Sequence, residues 1–210
     1  MTGMERLSTR AGPVANEAVT TAETVTTAET VTTAELDEQL GWVRDAPRRS
    51  GRLELIVRRP AVGLREILEE GELSQAEGLV GDGWRSRPTP STPDGSPDPD
   101  RQLTLMNARI ALLVAGQPAR RQLAGDQLFV DFDLSVENAP PGTRLRIGDA
   151  VVELTAPPHL GCVKFVSRFG QDAMRFVNSE TGRALRLRGA HARVVVAGTV
   201  RPGDAVEMVR

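Results

Sequence analysis

One stretch of this 210-residue chain concentrates the side chains able to do chemistry: Thr155-Ala156-Pro157-Pro158-His159-Leu160-Gly161-Cys162-Val163-Lys164-Phe165. It holds the only cysteine, the only lysine and one of the two histidines. The thiolate is the reactive form of cysteine, as nucleophile, sulfur acceptor or soft metal ligand. Lys164, Arg168 and a protonated His159 would each favour that anion. His159 is the residue type that hands a proton to a bound oxygen or nitrogen. Lys164, two residues on, shares a face with Cys162 if the segment is extended. Plainer roles stand beside these: a cysteine packed as a small hydrophobe, a loop histidine in a structural hydrogen bond, a solvated lysine. One cysteine and two widely spaced histidines do not make a zinc site, which takes about four protein ligands, or three plus water. No Ser-His-Asp or Cys-His-Asn signature is present.

The elements that must position this stretch read mostly as strands. Val151, Val152, Leu154 and Thr155 form a β-branched run that the two prolines stop, and Gly161 places the thiol in a loop. Leu145 to Ile147, the Gly148-Asp149 turn and the following run make a hairpin. Upstream, Leu53 to Arg59 is strand-like up to Pro60, and Val62 to Leu73 is mixed, with a helical turn around Ile67. Leu103 to Met106 is a short strand. Asn107 caps a helix over Ala108 to Ala115, which Gly116-Gln117-Pro118 stops. Gln127 to Leu134 alternates from Leu128 onward. A helix includes Ala173 to Val177, with Phe169, Met174, Phe176 and Val177 apolar. Ala192 to Ala197 and Ala205 to Val209 are strands, and His191, where the first begins, is a structural residue. The sum is a mainly β chain with a few short helices, arranged as a small barrel.

Composition narrows the function classes. Hydrophobic residues are 40 % and aromatics 3 %, with no tyrosine, so the core is aliphatic and stacking platforms for single-stranded nucleic acid are lacking. A net charge of −2 provides no basic field for DNA. A single cysteine fits a reducing compartment, and no apolar run is long enough to span a bilayer. The expectation is a cytoplasmic protein with no nucleic acid and no membrane partner.

Two segments stand apart. Residues 1–46 are poor in large apolar side chains and carry the hexad Thr20-Thr21-Ala22-Glu23-Thr24-Val25, repeated at Thr26 to Val31 and begun again at Thr32. They read as a disordered low-complexity tail. Residues 88–101 hold prolines too dense for helix or central strand, and read as a surface loop inside one domain spanning 51–210.

The order of motifs carries a resemblance. It runs from Asp131-Phe132-Asp133-Leu134-Ser135-Val136-Glu137-Asn138 through Gly142 to Ala150 and the cysteine loop. Arg188-Gly189-Ala190-His191 and Gly198-Thr199-Val200-Arg201-Pro202-Gly203-Asp204 continue it, with Gly78 to Trp84 and Leu105 to Arg109 upstream. This pattern resembles a MOSC domain, which forms the C-terminal part of molybdenum cofactor sulfurases and occurs alone in small bacterial proteins. The resemblance implies a β-barrel like the small barrel domain of pyruvate kinase, and a functional cysteine at Cys162. It implies molybdenum cofactor (molybdopterin) as cofactor, with Cys162 ligating molybdenum or carrying sulfur as a persulfide. His159 and Lys164 join Cys162 as candidate catalytic residues. Arg59, Asn107, Arg109, Asn138, Arg168 and Arg188 are the candidates for the pterin and its phosphate. In the reductase version N-hydroxylated compounds are reduced and an electron-donor protein resets the centre. In the relay version a cysteine desulfurase loads Cys162. A noncatalytic cofactor or anion carrier, and a structural barrel with an inert thiol, remain the alternatives. Many members have proline where this chain has Gly161, which leaves reductase and relay both open.

Overall fold

The computed structural model describes residues 30–89 and 91–209. In chain order the elements are α1 (Thr33–Glu38), α2 (Leu40–Arg44), β1 (Ser50–Arg58), β2 (Glu66–Leu68), β3 (Gly71–Ser74), β4 (Gly78–Leu79), β5 (Leu103–Asn107) and α3 (Ala108–Ala115). Then follow β6 (Leu128–Asp131), β7 (Arg144–Ile147), β8 (Ala150–Pro158), α4 (Val163–Asn178), α5 (Glu180–Ala184), β9 (Ala190–Val196), β10 (Gly198–Val200) and β11 (Ala205–Val209). Seven strands run β11-β7-β8-β9-β5-β6-β1, and pairing of β1 with β11 closes them into a barrel. Among the described residues only β5–β6 is a parallel pair; the helix α3 makes that crossover. β2 extends β1 at the rim, and β10, β3 and β4 form a small side sheet.

The barrel strands are buried on two faces. Leu53, Ile56, Leu105, Leu128, Val130, Val152 and Ala192 fill the interior, while Leu55, Val57, Met106 and Phe129 point outward beneath the helices. A bulge between Leu53 and Leu55 lets β1 turn Ile56 inward three residues after Leu53. That is why Leu53 to Val57 is apolar almost without alternation. Phe129 on the outer face breaks the alternation expected of a half-buried strand for the same reason.

Three local expectations change. The segment around Ile67 is the strand β2, not a helical turn, because it folds back antiparallel on β1 with Leu68 buried and Ile67 exposed. Pro157 and Pro158 do not end β8. The ladder shifts register after Leu154 and resumes at Pro158 opposite Ala190, so the prolines occupy an irregular stretch that tolerates a missing donor. The helix of the last third begins at Val163, with Cys162 as its N-cap. Its continuity breaks at Gly170, where φ 86 and ψ 171 lie in a region open only to glycine.

The tail expectation also divides. The first hexad and residues 26–29 of the second fall outside the described residues. The third, at Thr32, starts α1: the Thr32 side chain accepts from Glu35 N, and the Glu35 carboxylate accepts from Thr32 N at 2.8 Å. This reciprocal cap is followed by Leu36, which is 0 % exposed, and by Val43 and Ala46, both buried. Residues 30–46 are therefore packed on the outer helical layer, contrary to the expected disorder. One apolar side chain per turn, set behind a cap, is enough when a prepared surface receives it.

Candidate functional site

A buried ion pair organises the end of the barrel from which the cysteine segment leaves. Arg188, between α5 and β9, donates from Nη1 to Asp126 Oδ2 at 2.6 Å and from Nη2 to the Ala124 carbonyl at 2.9 Å. Its guanidinium also lies 5.1 Å over the ring of Phe165, in the first turn of α4. The Asp126 side chain is fully buried just before β6. Burial pushes its carboxyl up, and the charge and hydrogen bond of Arg188 oppose the shift. Since guanidinium keeps its proton, Arg188 holds the carboxylate as its counter-charge.

The other Asp126 oxygen, Oδ1, lies 3.4 Å from His159 Nδ1. Burial lowers His159 well below the ordinary histidine value, with the Arg188 charge next in effect, so the ring is neutral. Its neighbour is His191 on β9, with ring centroids 4.6 Å apart and planes tilted by 40°. Burial, then the charge of Arg101, brings His191 to about 4. The Arg101 Nη1–His191 Nε2 distance is 3.4 Å, which assigns Nε2 as acceptor and the proton to Nδ1.

Two cavities meet at this histidine pair. One, of about 220 Å³, is lined by Arg59, Trp84, Arg87, Arg101 and Thr104. Arg59 is fixed there by Asp82, with Nε–Oδ2 at 2.9 Å and Nη2–Oδ1 at 3.0 Å, and donates to Gly125 O at 2.6 Å. Asp82 also accepts from the backbone of Arg59 and Trp84, so this glycine-flanked aspartate is both turn residue and counter-ion. The second cavity, of about 310 Å³, is lined by Pro157, Pro158, Leu160, Val177, Arg183 and Arg186 among others.

Cys162 is exposed at the start of α4 and lines neither cavity, although His159, three residues earlier, lines both. Lys164 is exposed in the helix, so it does not share the face of Cys162 as an extended segment would require. Arg168 donates to Leu123 O at 2.9 Å, on the α4 side of the same framework. The structure thus groups Arg59, Arg188 and His159, with Arg168 on the adjoining face of α4 and Cys162 exposed at the start of that helix.

Three predicted residues lie elsewhere. Asn107 is buried as the cap of α3, accepting from Arg109 N at 2.8 Å and donating to Phe132 O at 2.9 Å. Arg109 pairs with Asp131 at 2.7 Å and stacks over Trp42. Asn138 donates to Asp133 O and Arg48 O, closing the loop after β6. Asp126, Asp82, Arg101, Arg183 and Arg186 were not singled out in the sequence as site residues. Asp126 follows Gly125 outside any strand, an available signal, but its partner Arg188 is 62 residues away. Among the described residues no group of three or more His, Cys, Asp or Glu is placed to hold a metal ion, and no helix is long and apolar enough to cross a membrane.

Comparison with known proteins agrees with this architecture. The YuaD protein from Bacillus subtilis superposes with a TM-score of 0.55 at 17 % identity, covering 76 % of this chain and 95 % of that one. A structure described as a hypothetical protein gives a TM-score of 0.51 at 23 % identity, covering 77 % and 70 %. At these identities the likeness is one of fold. No curated protein matches. The model of the MOSC domain matches residues 100–207, from the Pro-rich loop to β11, and so includes Asp126, His159, Cys162, Arg188 and His191. The chain belongs to the MOSC domain family, which is associated with molybdenum cofactor-related functions.

Proposed function

We propose that this chain binds a molybdenum cofactor and presents Cys162 as the protein's thiolate, either to the metal or to a sulfur donor. The observation that carries the reading is the accessible thiol at the N-cap of α4, with that helix anchored through Phe165 to the Arg188–Asp126 pair beside His159. A cofactor that brings its own metal asks the protein for one soft ligand and for cations near its phosphate. Those demands fit the donor set here: a single exposed thiol, and the arginines lining the cavity of about 220 Å³ beside His159. Cys162 would hold the metal, and Arg59 is the predicted arginine placed to meet an anionic end. When bound, the cofactor supplies two-electron redox chemistry. His159, with Nδ1 turned to Asp126, keeps Nε2 as the atom able to accept or return a proton. N-hydroxylated compounds are the substrate class for such a centre, with electrons delivered by a partner protein.

A second reading rests on the same exposure. Val163 is 83 % exposed and Leu160 42 %, so the thiol sits in an apolar surface that another protein can reach. In a relay, the Cys162 thiolate attacks the terminal sulfur of a desulfurase persulfide. The new S–S bond makes Cys162 persulfide, and the donor cysteine leaves as thiolate.

The test is molybdenum and pterin content after anaerobic loading of wild type and Cys162→Ser. Cofactor retained by wild type and lost from the variant supports Cys162 as metal ligand, and N-hydroxylated substrates are then assayed. Equal retention removes the ligand role and leaves a carrier. No retention in either protein ends the cofactor reading, and transfer of ³⁵S from a desulfurase to Cys162 then decides for or against the relay.

A further inference from the structure

The cavity of about 310 Å³ has an unusual electrostatic makeup. Two arginines line it, Arg183 and Arg186, together with the neutral rings of His159 and His191, and none of its lining residues is an aspartate or glutamate. The rest of the wall is chiefly apolar, including Val136, Pro141, Leu160 and Val177. In the neighbouring cavity Arg59 and Arg101 have carboxylate partners, Asp82 and Asp98, while Arg87 donates to the Arg59 carbonyl. Arg183 and Arg186 have none among the described residues. Arg186 donates only to carbonyls, Ala139 O at 2.7 Å and Leu134 O at 3.4 Å. Burial lowers its affinity for its proton, with no anion opposing the shift.

The backbone at Arg186 adds an independent sign. It is the only non-glycine residue with positive φ among those described, at 48°. It stands just past the end of α5, where Leu187 N bonds Gly182 O at 2.8 Å and Arg186 N bonds Arg183 O at 3.2 Å. This is the helix-ending arrangement that glycine usually occupies. An arginine there carries backbone strain, and the side chain so placed reaches into the cavity wall.

We infer that this cavity is a binding site for a small organic anion with an apolar body, its charged end held by Arg183 and Arg186 and its body against Val136, Leu160 and Val177. The site adjoins His159 but does not depend on cofactor, so it stands or falls apart from the cofactor reading. The experiment is titration of the cofactor-free full-length protein with 2-naphthoate, followed by calorimetry and by amide NMR. Its uncharged isostere 2-naphthamide and inorganic phosphate are titrated in parallel. Naphthoate should bind wild type and the surface control Arg49→Glu alike. Arg183→Glu and Val136→Asp, each placing a carboxylate at the rim on a side chain that is already exposed, should weaken it roughly tenfold or more. The amide and phosphate should be weaker than naphthoate by a similar factor. Absence of naphthoate binding, equal binding of the amide or of phosphate, or indifference to both rim carboxylates overturns the assignment. Two variants on different elements keep the test decisive if one fails to fold.

Discussion

His159 and His191 stack with their ring centroids 4.6 Å apart, and this pair forms a wall shared by two arginine-lined cavities. Two histidines 32 positions apart in sequence meet because β8 and β9 are neighbours in the barrel and Pro158 pairs with Ala190. Contact of this kind is tolerated between neutral rings, and burial together with Arg188 and Arg101 keeps both neutral.

That neutrality makes stability depend on pH. His191 titrates at about 4 in the folded protein against 6.5 in the unfolded chain. On acidification the unfolded state takes the proton first, so the contribution is intact above about pH 6.5, falls away towards pH 4 and is constant below. Its size is about 3 kcal/mol. His159, also lowered, acts in the same sense, and Asp126, raised, acts against it. Urea denaturation from pH 7.5 to 4.5 should show stability declining with acid, and His191→Gln should flatten the slope.

The Arg188–Asp126 pair should behave as one unit. Asp126→Asn leaves a buried guanidinium without its counter-charge and should cost about 3–5 kcal/mol. Arg188→Met strands the carboxylate at a similar cost. The double variant Asp126→Asn/Arg188→Met should lose less than the two single variants together, by at least about 1 kcal/mol. A double-mutant cycle in urea measures this coupling.

Cys162 is exposed and serves no packing role. The folded protein should therefore react with a thiol reagent such as dithionitrobenzoate at one site and without a lag for unfolding. Cys162→Ser should change stability by less than about 0.5 kcal/mol. A thiol that reacts only in denaturant would contradict the placement of the α4 N-cap.

The packing of α1 has its own measurement. Leu36 is fully buried against the outer helical layer, so Leu36→Ala should destabilise the protein by about 2–5 kcal/mol. Thr32→Ala, which removes the cap, should cost about 1 kcal/mol. If residues 30–46 did not pack, both changes would leave the urea midpoint unmoved.

The sequence alone determined the strands that carry β-branched runs, the Asn107 cap and Gly116 stop of α3, the Gly-Asp turns and the MOSC resemblance. Each of these is written in neighbours along the chain, where turn chemistry and side-chain period act locally. The Thr32-x-x-Glu35 cap, although written just as locally, lies in the stretch that read as a disordered tail, and only the packing of Leu36 distinguishes it. Tertiary structure decided what each polar side chain is for. Asn107, Arg109 and Asn138, candidates by motif, are consumed by a helix cap, an ion pair with Asp131 and a loop closure. Asp126 and Arg188 become partners only when β6 and β9 close into one barrel, and Arg183 and Arg186 gain meaning only from the carboxylates missing around them. Charge pairing and desolvation depend on distances through space, and the barrel fixes those distances between residues the sequence keeps far apart.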